Sequence, residues 1–335
     1  MLTIQDKQCL ITGGAGFIGS HLVDHLINNG CRVRVFDNLT NGRLDNLTQH
    51  LGAKNFEFLQ GSVTDPFDVE RAMDGIEIVF HLACLGVRHS ITHPFENHRV
   101  NTEGALLLLD AARRAKVKRF IHCSSSEVYG TAQYVPMPES HPTRPCTVYG
   151  ASKLAGEAYA IAYHKTYGME TVVIRPFNTF GPRSHHEGDA GEMIPKSIVR
   201  ALNGRNILVF GDGSQTRDFT YVEDTARGLL AAAQNDAMIG RTLNIGSNFE
   251  ISIQDLAEKL HDLVGNQESE VEMMAERPGD VGRLYADPSV FLKLSDWRPQ
   301  VSFADGLTKT IDYFRNHPTG IVSLLKGETG RNWEK

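Results

Sequence analysis

Strand-like and helix-like stretches alternate through the first half of this chain, and that rhythm constrains the fold more than any other feature. Short apolar runs at Cys9–Thr12, Arg32–Phe36, Phe56–Gln60, Ile76–Leu82, Arg119–Ser124 and Thr171–Arg175 have the length of buried strands. Between them, Phe17–Asn29, Asp68–Met73, Phe95–Ala115 and Tyr149–Tyr167 carry apolar residues at helical spacing. Strand then helix, repeated, predicts an α/β fold: a doubly wound parallel sheet with helices on both faces. After Pro176 the rhythm breaks, and Gly, Pro and His punctuate Phe177–Gly191. A smaller C-terminal lobe is expected there, over the carboxyl edge of the sheet where ligands of such folds bind. Thr242–Gly246 is expected to return as a further strand. From Pro318 the chain turns polar and reads as a loosely held tail.

The first strand runs into TGGAGFIGS, Thr12–Ser20. Gly14, Gly16 and Gly19 satisfy one glycine spacing of dinucleotide-binding turns; Gly13, Gly16 and Gly19 satisfy a wider one. Glycine permits the tight turn and lets a pyrophosphate approach the backbone at a helix N-terminus. Asp37 ends the second strand, where a carboxylate binds the adenosine ribose and repels a 2′-phosphate. These features predict a Rossmann-type domain that prefers NAD over NADP.

YGASK, Tyr149–Lys153, places a phenol and an ammonium four residues apart on one helix face. A tyrosine of pKa about 10 is a poor base at neutral pH, and a neighbouring ammonium favours its phenolate. Upstream, CSSSEVYG (Cys123–Gly130) puts three hydroxyls and Glu127 just past a predicted strand.

TGGAGFIGS, HLA (His81–Ala83), SSSEVYG, YGASK and RPFN (Arg175–Asn178) resemble, in order and spacing, the extended short-chain dehydrogenase/reductase family of nucleotide-sugar epimerases, dehydratases and decarboxylases. The resemblance runs from about Leu2 to about Phe314. It implies that Tyr149 is the base at the sugar 4-hydroxyl, that Lys153 orients it and the nicotinamide ribose, and that Ser125 hydrogen-bonds the reacting oxygen. It places Gly13, Gly16, Phe17, Ile18, Gly19, Asp37 and Asn38 along the cofactor. Ser62, Val63, Leu82, Ala83, Asn101, Tyr149, Lys153 and Pro176 would complete that wall. Ser62 stands where relatives commonly carry an adenine-binding aspartate. Arg88, Ser125, Asn178, Ile194, Val209, Phe210, Arg217, Arg277 and Asp280 would meet the nucleotide sugar, the arginines being suited to bidentate phosphate binding.

The implied domains are 1–176 with about 215–250 for NAD, 177–214 and 251–317 for the nucleotide sugar, and 318–335 as tail. The resemblance also implies a homodimer through the helices Phe95–Ala115 and Tyr149–Tyr167.

The reaction turns on Glu127. A 4-epimerase needs only Tyr149, whereas elimination of water across C5 and C6 needs a second base at C5. Glu127 is placed to supply it, with Ser126 where dTDP-glucose dehydratases carry an acidic residue. A 4,6-dehydratase is therefore expected. The loop LGVRHSITHP (Leu85–Pro94) instead resembles that of UDP-sugar 4-epimerases, and UDP-glucuronate decarboxylation is a third reading. Glu127 bonded to loop amides or to an arginine would be purely structural.

A net charge of −6 without a concentrated basic stretch argues against nucleic acid as a partner. No run of about 18 apolar residues suggests a membrane span. The N-terminal segment lacks the pattern of a signal peptide. Five scattered cysteines read as reduced thiols of a cytoplasmic protein. SHHEGD (Ser184–Asp189) sets two histidines and a glutamate side by side, a spacing unsuited to converging on a metal, so a substrate-contacting or mobile loop is expected and no metal site is assigned.

Overall fold

The computed structural model describes residues 2–333. Its centre is a seven-stranded parallel sheet built from β1 (Gln8–Thr12), β2 (Arg32–Asp37), β3 (Phe56–Gln60), β4 (Ile78–His81), β5 (Arg119–Cys123), β6 (Thr171–Pro176) and the returning strand Thr242–Ile245. Across the sheet the order is Thr242–Ile245, β6, β5, β4, β1, β2, β3. The chain thus winds outward in both directions from β1 and β4, leaving a crevice at their carboxyl ends.

The strands read as apolar runs because helices cover both faces. β4, β5 and β6 are buried along their whole length. Leu22, Val23 and Leu26 of the helix Phe17–Asn28 pack beside Ala226, Leu229 and Leu230 of the helix Val222–Gln234 on one face. Leu108, Leu109 and Ala112 of the helix Gly104–Arg114 meet Phe120 and Val173 on the other. The Phe95–Ala115 stretch departs from a plain α-helix: Pro94–His98 and Gly104–Arg114 are joined by a π-turn over Arg99–Glu103.

The smaller lobe has its own core, in which Ile198 and Val199 of the helix Met193–Leu202 pack with Val209, Leu256, Leu260, Leu307 and Phe314. Two features differ from the sequence reading. Phe291 and Trp297, expected in the lobe, belong to the main core, where the Trp297 indole donates to the Asp224 carbonyl at 2.9 Å. The segment after Pro318 is not loosely held: Leu324 and Trp333 are buried, and Glu328 pairs with Arg200 at 3.0 Å. A few apolar anchors and backbone acceptors suffice to dock a stretch whose composition is polar.

Candidate active site

One cavity of about 450 Å³ runs between the carboxyl edge of the sheet and the lobe. The ends of successive strands deliver its cofactor side: Gly13, Gly16, Phe17, Ile18 and Gly19 after β1, Asp37 and Asn38 at β2, Ser62 and Val63 after β3, Leu82 and Ala83 after β4, and Pro176 closing β6. Gly13 has φ +70°, and a Cβ there would lie 2.7 Å from the Ala83 nitrogen. A Cβ on Gly19 would lie 2.2 Å from the Gly13 carbonyl oxygen. The helix Phe17–Asn28 starts at Gly16 without a side-chain cap, so its first N–H groups remain for an anion.

Asp37 accepts from the Ala15 N–H at 3.0 Å and the Leu39 N–H at 2.8 Å, tying the glycine turn to β2. Burial raises its pKa against those two bonds. Ser62 donates its backbone N–H to Asp68 at 3.0 Å, and its hydroxyl pairs with Thr64 at 2.8 Å. A glycine turn without a cap, walls that a single Cβ would fill and a ribose-side carboxylate together fit NAD. When bound there, NAD supplies the hydride acceptor.

Thr147 caps the helix Val148–Tyr167 by accepting from the Gly150 N–H at 3.1 Å, which fixes Tyr149 and Lys153 in its first turns. Both line the cavity with Ser125, Ser126 and Glu127. Lys153 is buried and donates to the Cys123 carbonyl at 2.5 Å. Burial holds the Tyr149 phenol well above its usual range, while its hydrogen bond with Ser125 pulls the other way. The direction is opposite to the phenolate expected from sequence, because desolvation outweighs the favourable contacts.

Glu127 follows Ser125, whose hydroxyl accepts the Glu127 N–H at 3.2 Å. Burial raises the Glu127 pKa, with Arg217 and Arg277 opposing. Among the described residues its carboxylate makes no hydrogen bond or ion pair within bonding distance. That distinguishes it from Glu157, which accepts from Arg175 at 2.8 and 2.6 Å and from the Ser124 hydroxyl beneath the site.

Asn178, Ile194, Phe210, Arg217, Arg277 and Asp280 line the lobe side, and Arg88 faces the cavity from the helix Val87–Thr92 that follows β4. Asp280 accepts from Arg217 at 2.9 Å and Arg277 at 2.6 Å, so one carboxylate holds two guanidiniums and leaves the group net positive. Arg88 lies 3.4 Å from Glu192. Asn178 donates to the Asp218 carbonyl at 3.1 Å.

Two expected residues do not line the cavity. Val209 points into the lobe core, because side chains alternate along the strand Ile207–Phe210 and it is Leu208 and Phe210 that face the site. Asn101 sits in the π-turn behind the wall, accepting from the Leu85 N–H at 2.8 Å and donating to Ser152 at 3.0 Å. It braces the loop after β4 against the Tyr149 helix. The sequence reading missed Glu192, Lys196, Asn332 and Trp333, which line the cavity without belonging to a recognisable spacing. In the SHHEGD loop, His185 lines the cavity while His186 packs edge-on against Phe314. His89, His93 and Asp189 bring donor atoms within 4.8 Å of one another beside it.

The GDP-mannose 4,6 dehydratase family matches residues 10–310. The chain belongs to the extended short-chain dehydrogenase/reductase family, among its NAD-dependent nucleotide-sugar epimerases and dehydratases. Similar proteins in this family carry different names. A UDP-glucose 4-epimerase of Mycolicibacterium smegmatis is 37% identical over 92% of this chain and 98% of its own. A dTDP-glucose 4,6-dehydratase of an Actinoplanes species is 36% identical over 91% and 97%. The structure of the dTDP-glucose 4,6-dehydratase DesIV from Streptomyces venezuelae, solved with NAD bound, superposes with a TM-score of 0.88 at 32% identity, over 93% of this chain and 98% of that one.

Proposed function

We propose that this short-chain dehydrogenase/reductase is a nucleotide-sugar 4,6-dehydratase. The observation that carries the reading is Glu127: a carboxylate lining the cavity beside Tyr149, raised in pKa and without a hydrogen-bonding partner among the described residues. A structural carboxylate has its lone pairs occupied, as Glu157 does.

The positive charge of a bound nicotinamide would offset the burial that holds the Tyr149 phenol protonated, so that Tyr149 takes the O4 proton as C4 is oxidised to a 4-keto sugar. The ketone acidifies C5, and Glu127 removes that proton. Ser126 is too weak an acid to protonate the leaving group, so Glu127 passes its proton to O6, which departs as water. The hydride returns at C6, and C5 regains a proton, the one taken from O4 closing the balance. Lys153, held by the Cys123 carbonyl, lies one turn beyond Tyr149 on the same helix face. Arg217, Arg277 and Arg88 bind the diphosphate sugar.

UDP-, dTDP- and GDP-hexoses supplied to the NAD-loaded enzyme test this. A 4-keto product lighter by one water is expected from at least one of them, and Glu127→Gln should oxidise C4 without losing water. A second reading, 4-epimerisation, has the epimerase-like Leu85–Pro94 loop and the UDP-glucose 4-epimerase relative in its favour. It predicts products of unchanged mass and tolerance of Glu127→Gln.

We further propose a homodimer across the helical faces bearing Phe95 and Tyr167, both exposed aromatics. A single-chain mass in light scattering at micromolar concentration would exclude it. The five free cysteines suit a reducing compartment, and on that basis we place the protein in the cytoplasm.

A further inference from the structure

The segment after Lys326 is fastened to the lobe at several points. Lys196 donates to the Thr329 carbonyl at 2.6 Å and the Gly330 carbonyl at 3.3 Å. Arg200 pairs with Glu328 at 3.0 Å. The Asn332 amide donates to the Gly188 carbonyl at 2.8 Å and the Gly191 carbonyl at 3.1 Å, and the Gly188 N–H donates to the Gly327 carbonyl at 3.0 Å. So anchored, the segment brings Gly330, Asn332 and Trp333 into the cavity wall.

Trp333 meets Phe210 with ring centroids 4.6 Å apart and planes at 80°. Leu208, on the same face of its strand, extends this apolar corner and lies 3.4 Å from where a Cβ on Gly330 would sit. The corner adjoins the positive group: Gln215, two residues before Arg217, donates to the Phe210 carbonyl at 2.7 Å. An apolar, aromatic corner beside paired guanidiniums matches a flat heteroaromatic ring joined to a diphosphate.

We propose that Trp333 determines how the nucleobase is bound, its indole and Phe210 forming the two walls of the base pocket, with the 326–333 segment a working part of the substrate site. This rests on the reading of the cavity as a nucleotide-sugar site. Lys196, whose pKa burial lowers to about 8, holds the segment through two carbonyls and so positions Trp333 without touching the base.

Calorimetric titration of the NAD-loaded protein with UDP, dTDP and GDP tests the proposal. Trp333→Ala should weaken binding of the preferred diphosphate roughly tenfold or more, as expected for loss of one base–aromatic stack. Trp333→Phe should retain most of the affinity, and NAD affinity should stay unchanged in both. Undiminished binding by Trp333→Ala overturns the proposal and leaves the nucleotide-sugar reading intact. Binding of none of the three diphosphates by the unaltered protein overturns both. A readout that does not depend on a variant folding is available because the chain has only two tryptophans. Trp297 is buried in the main core, so the preferred diphosphate should quench the emission of Trp333. Saturating diphosphate that leaves the emission unchanged counts against a base at this corner.

Discussion

The two sides of the cavity are built differently. The sheet side presents backbone: three glycines, the free start of a helix and a single carboxylate that is itself anchored by backbone N–H groups. The lobe side presents long charged side chains held by one another, two arginines on Asp280, with Glu192 facing Arg88 across the cavity mouth from the helix after β4. Backbone walls are fixed by chain geometry, so any added atom collides. Side-chain walls depend on partners, and losing one partner reweights the rest.

The largest expected effect falls where the two sides meet. Tyr149→Phe should lower kcat by about a thousandfold, the scale of general acid–base assistance, while equilibrium dialysis finds NAD binding unchanged. On the sheet side, Gly19→Ala should abolish tight NAD binding and destabilise the fold by roughly 1–3 kcal/mol through overpacking, read as a lowered Tm. On the lobe side, Arg217→Met should raise KM for the nucleotide sugar roughly ten- to hundredfold with NAD affinity unaltered. A loss of NAD binding in that variant would show that the two sides are not independent. The smallest effect belongs to Asp37→Asn, which should narrow the preference for NAD over NADP by about tenfold as the like charge facing a 2′-phosphate disappears.

The pH profile sharpens the contrast further. Glu127 must be ionised to act as a base, and burial raises its pKa from the ordinary 4.5. The rate of water loss from the 4-keto sugar should therefore show an acid limb above 4.5 that belongs to Glu127 and is separate from the Tyr149 step at O4. An acid limb at or below 4.5 would mean that the carboxylate is not the base.

The same contrast explains what could be read from sequence. The sheet, its glycine turn and Asp37 were legible because strand length and glycine spacing are local requirements. Tyr149 and Lys153 were legible because four residues on a helix guarantee a shared face. Val209 was misplaced because motif matching identifies a strand but not which alternate side chains face inward. Asn101 was misplaced because the π-turn at Arg99–Glu103 sets it against Leu85 and Ser152. Trp333 and Lys196 were invisible, since their place in the wall comes from docking a distant segment through carbonyl oxygens that no side-chain pattern encodes.

The path of the chain between its two bodies has a mechanical consequence. It leaves the sheet after β6, comes back for the helix Val222–Gln234 and the strand Thr242–Ile245, departs for the helix Ile253–Val264, comes back again at Phe291 and Trp297, and departs once more for the helix Phe303–Arg315. A seam laced this often resists torsion, since swinging one body about any single hinge strains every other stitch. A clamshell movement of the two bodies is then disfavoured as the route of cargo exchange.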